Sequence, residues 1–291
     1  MTVNWKEKWI LVAPAILVIA LVLIFPFVYS IGTSLTSRSL LHPQVGSPFV
    51  GLKNYIDLAG DEVGHAALSN NLYFAFVGIP IQLVLGMVFA MLLNNRIPGI
   101  QVFRILLTIP MIIAPLITAF CWLMIFQPSL SPVKAMLTMA KLNWEMPALL
   151  GSVKTVMPAL TTVSTWAATP FVMLVLLAAL QSLPREPFEA AVIDGASRWQ
   201  TIMYLTLPMI RPVIVLIVMM RIMDTMRAFE VSYLITGGGP GYSSELISTF
   251  NYDALFTSFK VGYTSAISVT ALVLVLLLCL ALNRLSKADA T

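Results

Sequence analysis

Five stretches of this chain, residues 9–37, 63–95, 105–133, 155–184 and 261–283, contain no Asp, Glu, Lys or Arg. Each exceeds the roughly 20 apolar residues that carry a helix across the hydrocarbon layer of a bilayer. The rest of the composition agrees. Of 291 residues, 59% are apolar and only 10% are charged, against roughly 25% charged in soluble chains. A water-exposed surface of this size cannot be covered by 17 Lys+Arg and 13 Asp+Glu. The pattern specifies a polytopic, all-α membrane protein and excludes soluble enzymes, nucleic-acid binders and secreted disulfide modules.

Six spans are predicted, at about 9–31, 71–93, 103–127, 156–181, 209–236 and 261–283, as a single transmembrane domain. The fifth carries Arg221, Asp224, Arg227 and Glu230, but Met209–Met220 and Val231–Ile235 on either side are strongly apolar. An even number puts both termini on one face, and the Lys/Arg bias says which face. With the termini in the cytoplasm, the inner segments hold nine basic residues: Lys6, Lys8, Arg96, Arg104, Arg185, Arg198, Arg211, Arg284 and Lys287. The outer loops hold six: Arg38, Lys53, Lys134, Lys141, Lys154 and Lys260. Acidic residues, with Glu145 among those outside and Glu7 and Asp289 among those inside, leave the net charge of +4 on the inner face. The first span is too long for a signal-peptide core, which runs to about 7–15 apolar residues, and reads as a retained anchor. In the loop after it, residues 49–58 read as a short interfacial helix on the outer mouth.

Cys121 and Cys279 lie within charge-free runs and read as packing residues, and His42 and His65 fall in a polar connection. No Cys/His cluster offers the ligands of a catalytic metal site. The methionines of span five (Met209, Met219, Met220, Met223, Met226) read as adaptable packing, since no Cys or His joins them there.

The cytoplasmic connection 184–212 carries most of the polar information. Pro187 suits the start of a helix, and Glu186 and Glu189 lie where the helix dipole favours negative charge. Gly195 suits a left-handed stop. Ser197 with Gln200 has the form of a capping box that starts a second helix, and Pro208 and Pro212 bracket the start of span five. The product is a helix–turn–helix elbow against the inner face.

Within it, Glu189-Ala190-Ala191, Asp194-Gly195-Ala196 and Leu207-Pro208 closely resemble the "EAA" loop of permease subunits of binding-protein-dependent ABC importers. Thr236-Gly237-Gly238-Gly239-Pro240-Gly241 resembles a segment of the carbohydrate-uptake branch, the maltose and glycerol-3-phosphate type. Asn70-Asn71, Phe103-Arg104, Trp166 with Pro170-Phe171, and Phe259 to Tyr263 fit as well. Pro187, Ile202 and Leu130-Ser131 depart from the family's usual residues. The resemblance implies the type I importer permease fold with six transmembrane helices in the bacterial inner membrane. It implies a non-catalytic subunit that binds no cofactor itself, with ATP and Mg held by two partner ATPase subunits. It also implies a second homologous permease and an extracytoplasmic solute-binding protein that delivers a small carbohydrate or polyol. By the same resemblance the elbow is the coupling helix: Glu189 and Asp194 are polar docking contacts, with Arg198 beside them, Ala190 and Ala191 permit close packing, and Gly195 makes the turn. The glycine run is no phosphate loop, because no Lys follows Gly241.

Arg221, Asp224, Arg227 and Glu230 recur at steps of three, predicting a stripe along one side of a continuous helix. Arg221 falls roughly 18 Å into the membrane at 1.5 Å per residue, where an unpaired charge costs at least about 2.5–3.5 kcal/mol. Two readings stand: an internal salt-bridge ladder, or a water-filled substrate pathway to which Phe229, Tyr233 and Trp166 add rings for sugar faces. Asp224 and Glu230 are the first choices for direct contact, and the two arginines leave room for an anionic sugar. An ion-coupled carrier is the alternative function, since Asp224 could bind a proton or cation. An intramembrane hydrolase lacks its residues, because the spans hold no His and no Asp besides Asp224.

Overall fold

The computed structural model describes residues 5–95, 98–140 and 147–288. Arg96, Lys141, Glu145 and Asp289, used above in the charge argument, lie outside the described residues, as do the side chains of Lys6, Glu7, Lys8 and Lys287. Among the described residues the chain is helical, and one isolated antiparallel bridge, Thr36 to Phe49, stands in place of any strand.

Among the described residues five helices are long and apolar enough to cross a bilayer: Val12–Ser34, Glu62–Leu93, Val156–Gln181, Arg198–Thr225 and Val261–Arg284. A sixth crossing exists only if Ile100–Ile112 and Pro115–Phe126 count as one span, and these two helices meet at 97°. The predicted third span is therefore not one helix. The cause is local: Pro110 removes a hydrogen bond inside the first half, and Pro115 forces the preceding residue out of the helical region. Ile113 and Ala114 are accordingly extended, with ψ of 130° and 139°.

Among the described residues three long helices contain a π-turn: Ala20–Ile24, Phe74–Gly78 and Ile202–Thr206. Each ends two residues before a proline (Pro26, Pro80 and Pro208). A proline ring collides with the carbonyl four residues earlier, and widening that turn removes the collision without ending the helix.

The chain divides into two compact units. One comprises the chain up to Gly64 together with Phe250–Leu274. Here the Asn54 amide donates to the carbonyls of Ser34 (2.7 Å) and Thr36 (2.8 Å), tying the short helix Lys53–Ala59 to the end of the first span. Gly262 approaches Thr36 so closely that a Cβ would strike the Thr36 carbonyl. The first span is exposed along its apolar length, as suits a helix solvated by lipid.

The other unit comprises His65–Thr249 and the chain from Val275 on. Its centre is Val156–Gln181, the most buried of the five spanning helices. Val172, Met173, Leu176 and Leu177 pack with Ala90, Leu93, Ile210 and Ile217 in one apolar cluster. Gly86 sets the distance between spans two and four, since a Cβ there would lie 2.7 Å from Val172 Cγ1 and 3.1 Å from the Met173 nitrogen. Small residues at such crossings let membrane helices touch. Gly86→Val is expected to destabilise this unit by about 1–3 kcal/mol through overpacking, measured as a lower thermal midpoint of the purified protein in detergent.

Candidate functional site

The elbow forms as a sharply terminated helix. Glu186–Ile193 opens with Glu186, Pro187 and Glu189 in its first turn. At its end the Ala196 N–H donates to the Ala191 carbonyl (2.9 Å) and the Gly195 N–H to that of Val192 (3.1 Å), with Gly195 at φ 72°. This is the paired hydrogen-bond closure that needs a residue without a Cβ at the turn. Two residues on, the Ser197 side chain accepts from the Gln200 N–H and the Gln200 side chain accepts from the Ser197 N–H, so the capping box is complete.

The second arm differs from the expected separate helix. It begins at Arg198, passes through the π-turn and continues without interruption to Thr225, so the elbow's second arm and span five are one helix. Of the coupling candidates, Glu189, Ala190, Asp194, Gly195 and Arg198 are exposed and Ala191 is buried. Around them Val192, Ile193, Trp199 and Tyr204 stand 65–85% exposed. A cluster of large apolar side chains on a short, rigid connection marks a contact surface.

The charged stripe of span five is not continuous. The helix stops at Thr225, and a new one runs over Glu230–Ile235. Arg221 and Asp224 sit on the last turns of the first helix, Arg227 and Phe229 in the break, and Glu230 and Tyr233 on the second helix. The Arg221 guanidinium meets Asp224 Oδ2 at 2.8 Å and donates through Nε to Gln82 Oε1 at 3.0 Å. Its side chain is 12% exposed, whereas that of Asp224 is 48% exposed. Among the described residues no ion pair joins Arg227 to Glu230, so the ladder predicted from the three-residue spacing reduces to one pair. Phe229 and Tyr233 stack with ring centroids 4.7 Å apart.

Side chains from distant segments hold the break. The fully buried Asn71 donates from Nδ2 to the Thr225 carbonyl (2.8 Å) and accepts the Ile247 N–H on Oδ1 (2.8 Å). Ser248 Oγ donates to the Ala228 carbonyl (2.9 Å). Backbone groups released by a broken helix at membrane depth need such partners. Beyond the break, Asn70 donates to the carbonyls of Tyr242 and Glu245, and Ser244 Oγ donates to that of Gly239. The glycine-rich segment is thus a closed turn. Gly238, at φ 82°, leaves no room for a Cβ beneath the Glu245 carboxylate.

Trp166 is elsewhere. It lines a crevice of about 620 Å³ between spans two and four and the first half of the bent pair, together with Tyr73, Thr162, Thr165 and Thr169. None of the span-five candidates lines it. The hydroxyl of Thr165 is buried there without a hydrogen-bond partner. Trp166 also meets Trp122 edge-on at 5.7 Å. Trp122 belongs to the cluster in which the half-helix Pro115–Phe126 packs against Val231, Leu234 and Ile235 of the half-helix Glu230–Ile235.

Gln82 and Asn71 both act at this site, Gln82 through Arg221 and Asn71 through the backbone. Both are amides within a charge-free run, and that was the legible signal. Replacing Asn71 by Leu leaves the Ile247 N–H without its acceptor, at about 1–3 kcal/mol, and leaves the Thr225 carbonyl only the long bond from the Ala228 N–H (3.4 Å). We expect Asn71→Leu to lower the thermal midpoint of the purified protein more than Asn70→Leu, whose side chain is more exposed.

Residues 67–288 match the family described as "Binding-protein-dependent transport system inner membrane component". A probable ABC transporter permease protein, y4oQ, of Sinorhizobium fredii is 36% identical over 90% of this chain and 84% of its own length. The trehalose/maltose transport system permease protein MalF of Thermococcus litoralis is 32% identical over 93% of this chain and 90% of its own. Among solved structures, a chain of a bacterial ABC transporter involved in the import of the acidic polysaccharide alginate superposes with a TM-score of 0.81, at 23% identity, over 98% of both chains.

Proposed function

Because the chain belongs to the inner membrane components of binding-protein-dependent transport systems, we propose that it forms one half of the membrane pathway of an ABC importer for a carbohydrate or polyol. The family membership sets aside the ion-coupled carrier. In this reading the chain pairs with a second, homologous permease, because its five to six spans are half of a two-fold pathway. Two ATPase subunits bind ATP and Mg at the cytoplasmic face, and this chain binds neither. An extracytoplasmic binding protein delivers the substrate.

The observation that carries the coupling role is the elbow: a helix closed at its C-terminal end by its own hydrogen bonds, ringed by exposed Val192, Ile193, Trp199 and Tyr204, with a second arm that is one helix with span five. In this reading Glu189, Asp194 and Arg198 make polar contacts to an ATPase subunit, and the exposed Ala190 lets it approach closely. Closure of the ATPase pair then moves the elbows together and opens the pathway outward, and hydrolysis returns it inward. Carbohydrate is the substrate class because the Thermococcus litoralis relative is named for trehalose and maltose and the superposed transporter for alginate.

For the pathway itself, two interrupted helices support a site near the bilayer midplane, since irregular backbone at that depth lines cavities or lies buried in protein. The half-exposed Asp224 carboxylate, held by Arg221, is the sugar-hydroxyl acceptor we favour, with Glu230 beyond the break and the stacked Phe229 and Tyr233 rings beside them. Trp166 and the threonines of the 620 Å³ crevice form a second hydroxyl-bearing surface.

Glu189→Lys and Gly195→Pro, each tested in the assembled transporter in liposomes, are expected to abolish uptake while ATP hydrolysis continues uncoupled. Loss of a docking contact worth about 1.4 kcal/mol weakens ATPase docking about tenfold. Near-normal uptake in both variants overturns the coupling assignment. Asp224→Asn is expected to reduce uptake with assembly intact, and failure to assemble would instead make the Arg221–Asp224 pair purely structural.

A further inference from the structure

Beside the elbow lies a second large concavity, a groove of about 1250 Å³. Its walls come from the ends of three membrane helices and from the elbow. Leu93 closes span two, Ile100 and Arg104 open the first half of the bent pair, and Gln181 closes span four. The elbow adds Arg185, Glu189 and Arg198. Three guanidinium groups therefore face one carboxylate. Among the described residues none of the three side chains has a hydrogen bond or an ion pair, and the Nε of Arg104 is buried without a partner.

Three guanidinium groups against a single carboxylate leave the groove net positive, and such groups need an anion or water as partner. Arg104 is the fifth residue of its helix, roughly 6 Å from the start at 1.5 Å per residue, which places it at the level of the headgroups rather than in the aqueous phase. The apolar wall beside it suits a glycerol backbone and the first methylenes of acyl chains. Basic pockets between membrane helices at the cytoplasmic side are the recurrent form of anionic headgroup sites. We propose that this groove holds the phosphodiester of an anionic phospholipid of the inner leaflet, with Arg104 and Arg185 as its ligands. The headgroup braces the elbow against the membrane helix ends, so that the elbow's position depends on lipid charge.

The test uses the assembled transporter in nanodiscs of phosphatidylcholine, with phosphatidylglycerol titrated in and bound lipid counted by native mass spectrometry. The wild-type complex is expected to retain phosphatidylglycerol, and Arg104→Gln with Arg185→Gln to retain about 30-fold less, at roughly 1 kcal/mol for each arginine. The pair Arg104→Lys with Arg185→Lys keeps most of the retention. A phosphatidylglycerol carrying a photoreactive acyl chain, applied to the wild type alone, is expected to cross-link to residues 91–104 or 180–206, which tests the site even if the double variant does not fold. If inorganic phosphate or glycerol phosphate displaces the lipid at equal concentration, the site recognises free phosphate and the lipid assignment fails. If the Gln pair lowers ATPase affinity and leaves lipid retention unchanged, the arginines serve a carboxylate of the ATPase subunit and the proposal is overturned.

Discussion

The second unit depends on one amide. The Thr225 carbonyl lies at the break of span five and the Ile247 N–H at the start of the helix Ile247–Phe256, and a bilayer offers no water to either. Asn71 bonds to both, one from each end of its side chain. It thereby ties span two, the end of Arg198–Thr225 and the start of the helix Ile247–Phe256 to a single point. The charges around it, Arg221 with Asp224 and Gln82 on one side and Glu230 on the other, inherit their placement from that point.

The two interruptions are of different kinds. The first is written into the local sequence as Pro110 and Pro115, and it turns the chain through 97°. The second has no proline and no glycine within residues 221–235, and it is imposed by distant side chains, Asn71 and Ser248. The half-helices that follow them, Pro115–Phe126 and Glu230–Ile235, share an apolar cluster with Val156, Leu160 and Val163 of span four. Span four is thus the fixed post against which both broken segments are set.

This contrast shows what could be read in the sequence. Val156–Gln181 has the predicted limits, because a charge-free run ending at a polar connection is a complete description of a buried membrane helix. The elbow was legible down to its capping box and left-handed glycine, since those interactions reach only three to five residues along the chain. Pro110 and Pro115 were legible too, but a hydropathy window averages over them. The end of the charged stripe at Thr225 was not, because its determinant lies 154 residues away. Trp166, on span four, lines a crevice that none of the span-five candidates lines, and the residue types alone do not say which rings share a surface.

The union of the elbow's second arm with span five has a mechanical meaning. Arg198–Thr225 is a rod of 28 residues, about 42 Å long at 1.5 Å per residue, with the exposed Trp199 near one end and the Arg221–Asp224 pair at the other. A tilt of about 5° about one end displaces the other by roughly 4 Å over that length, more than the width of a hydrogen bond. In the coupling role proposed above, a torque at the cytoplasmic end would act on the broken backbone through this one helix, at the point where Asn71 holds Thr225.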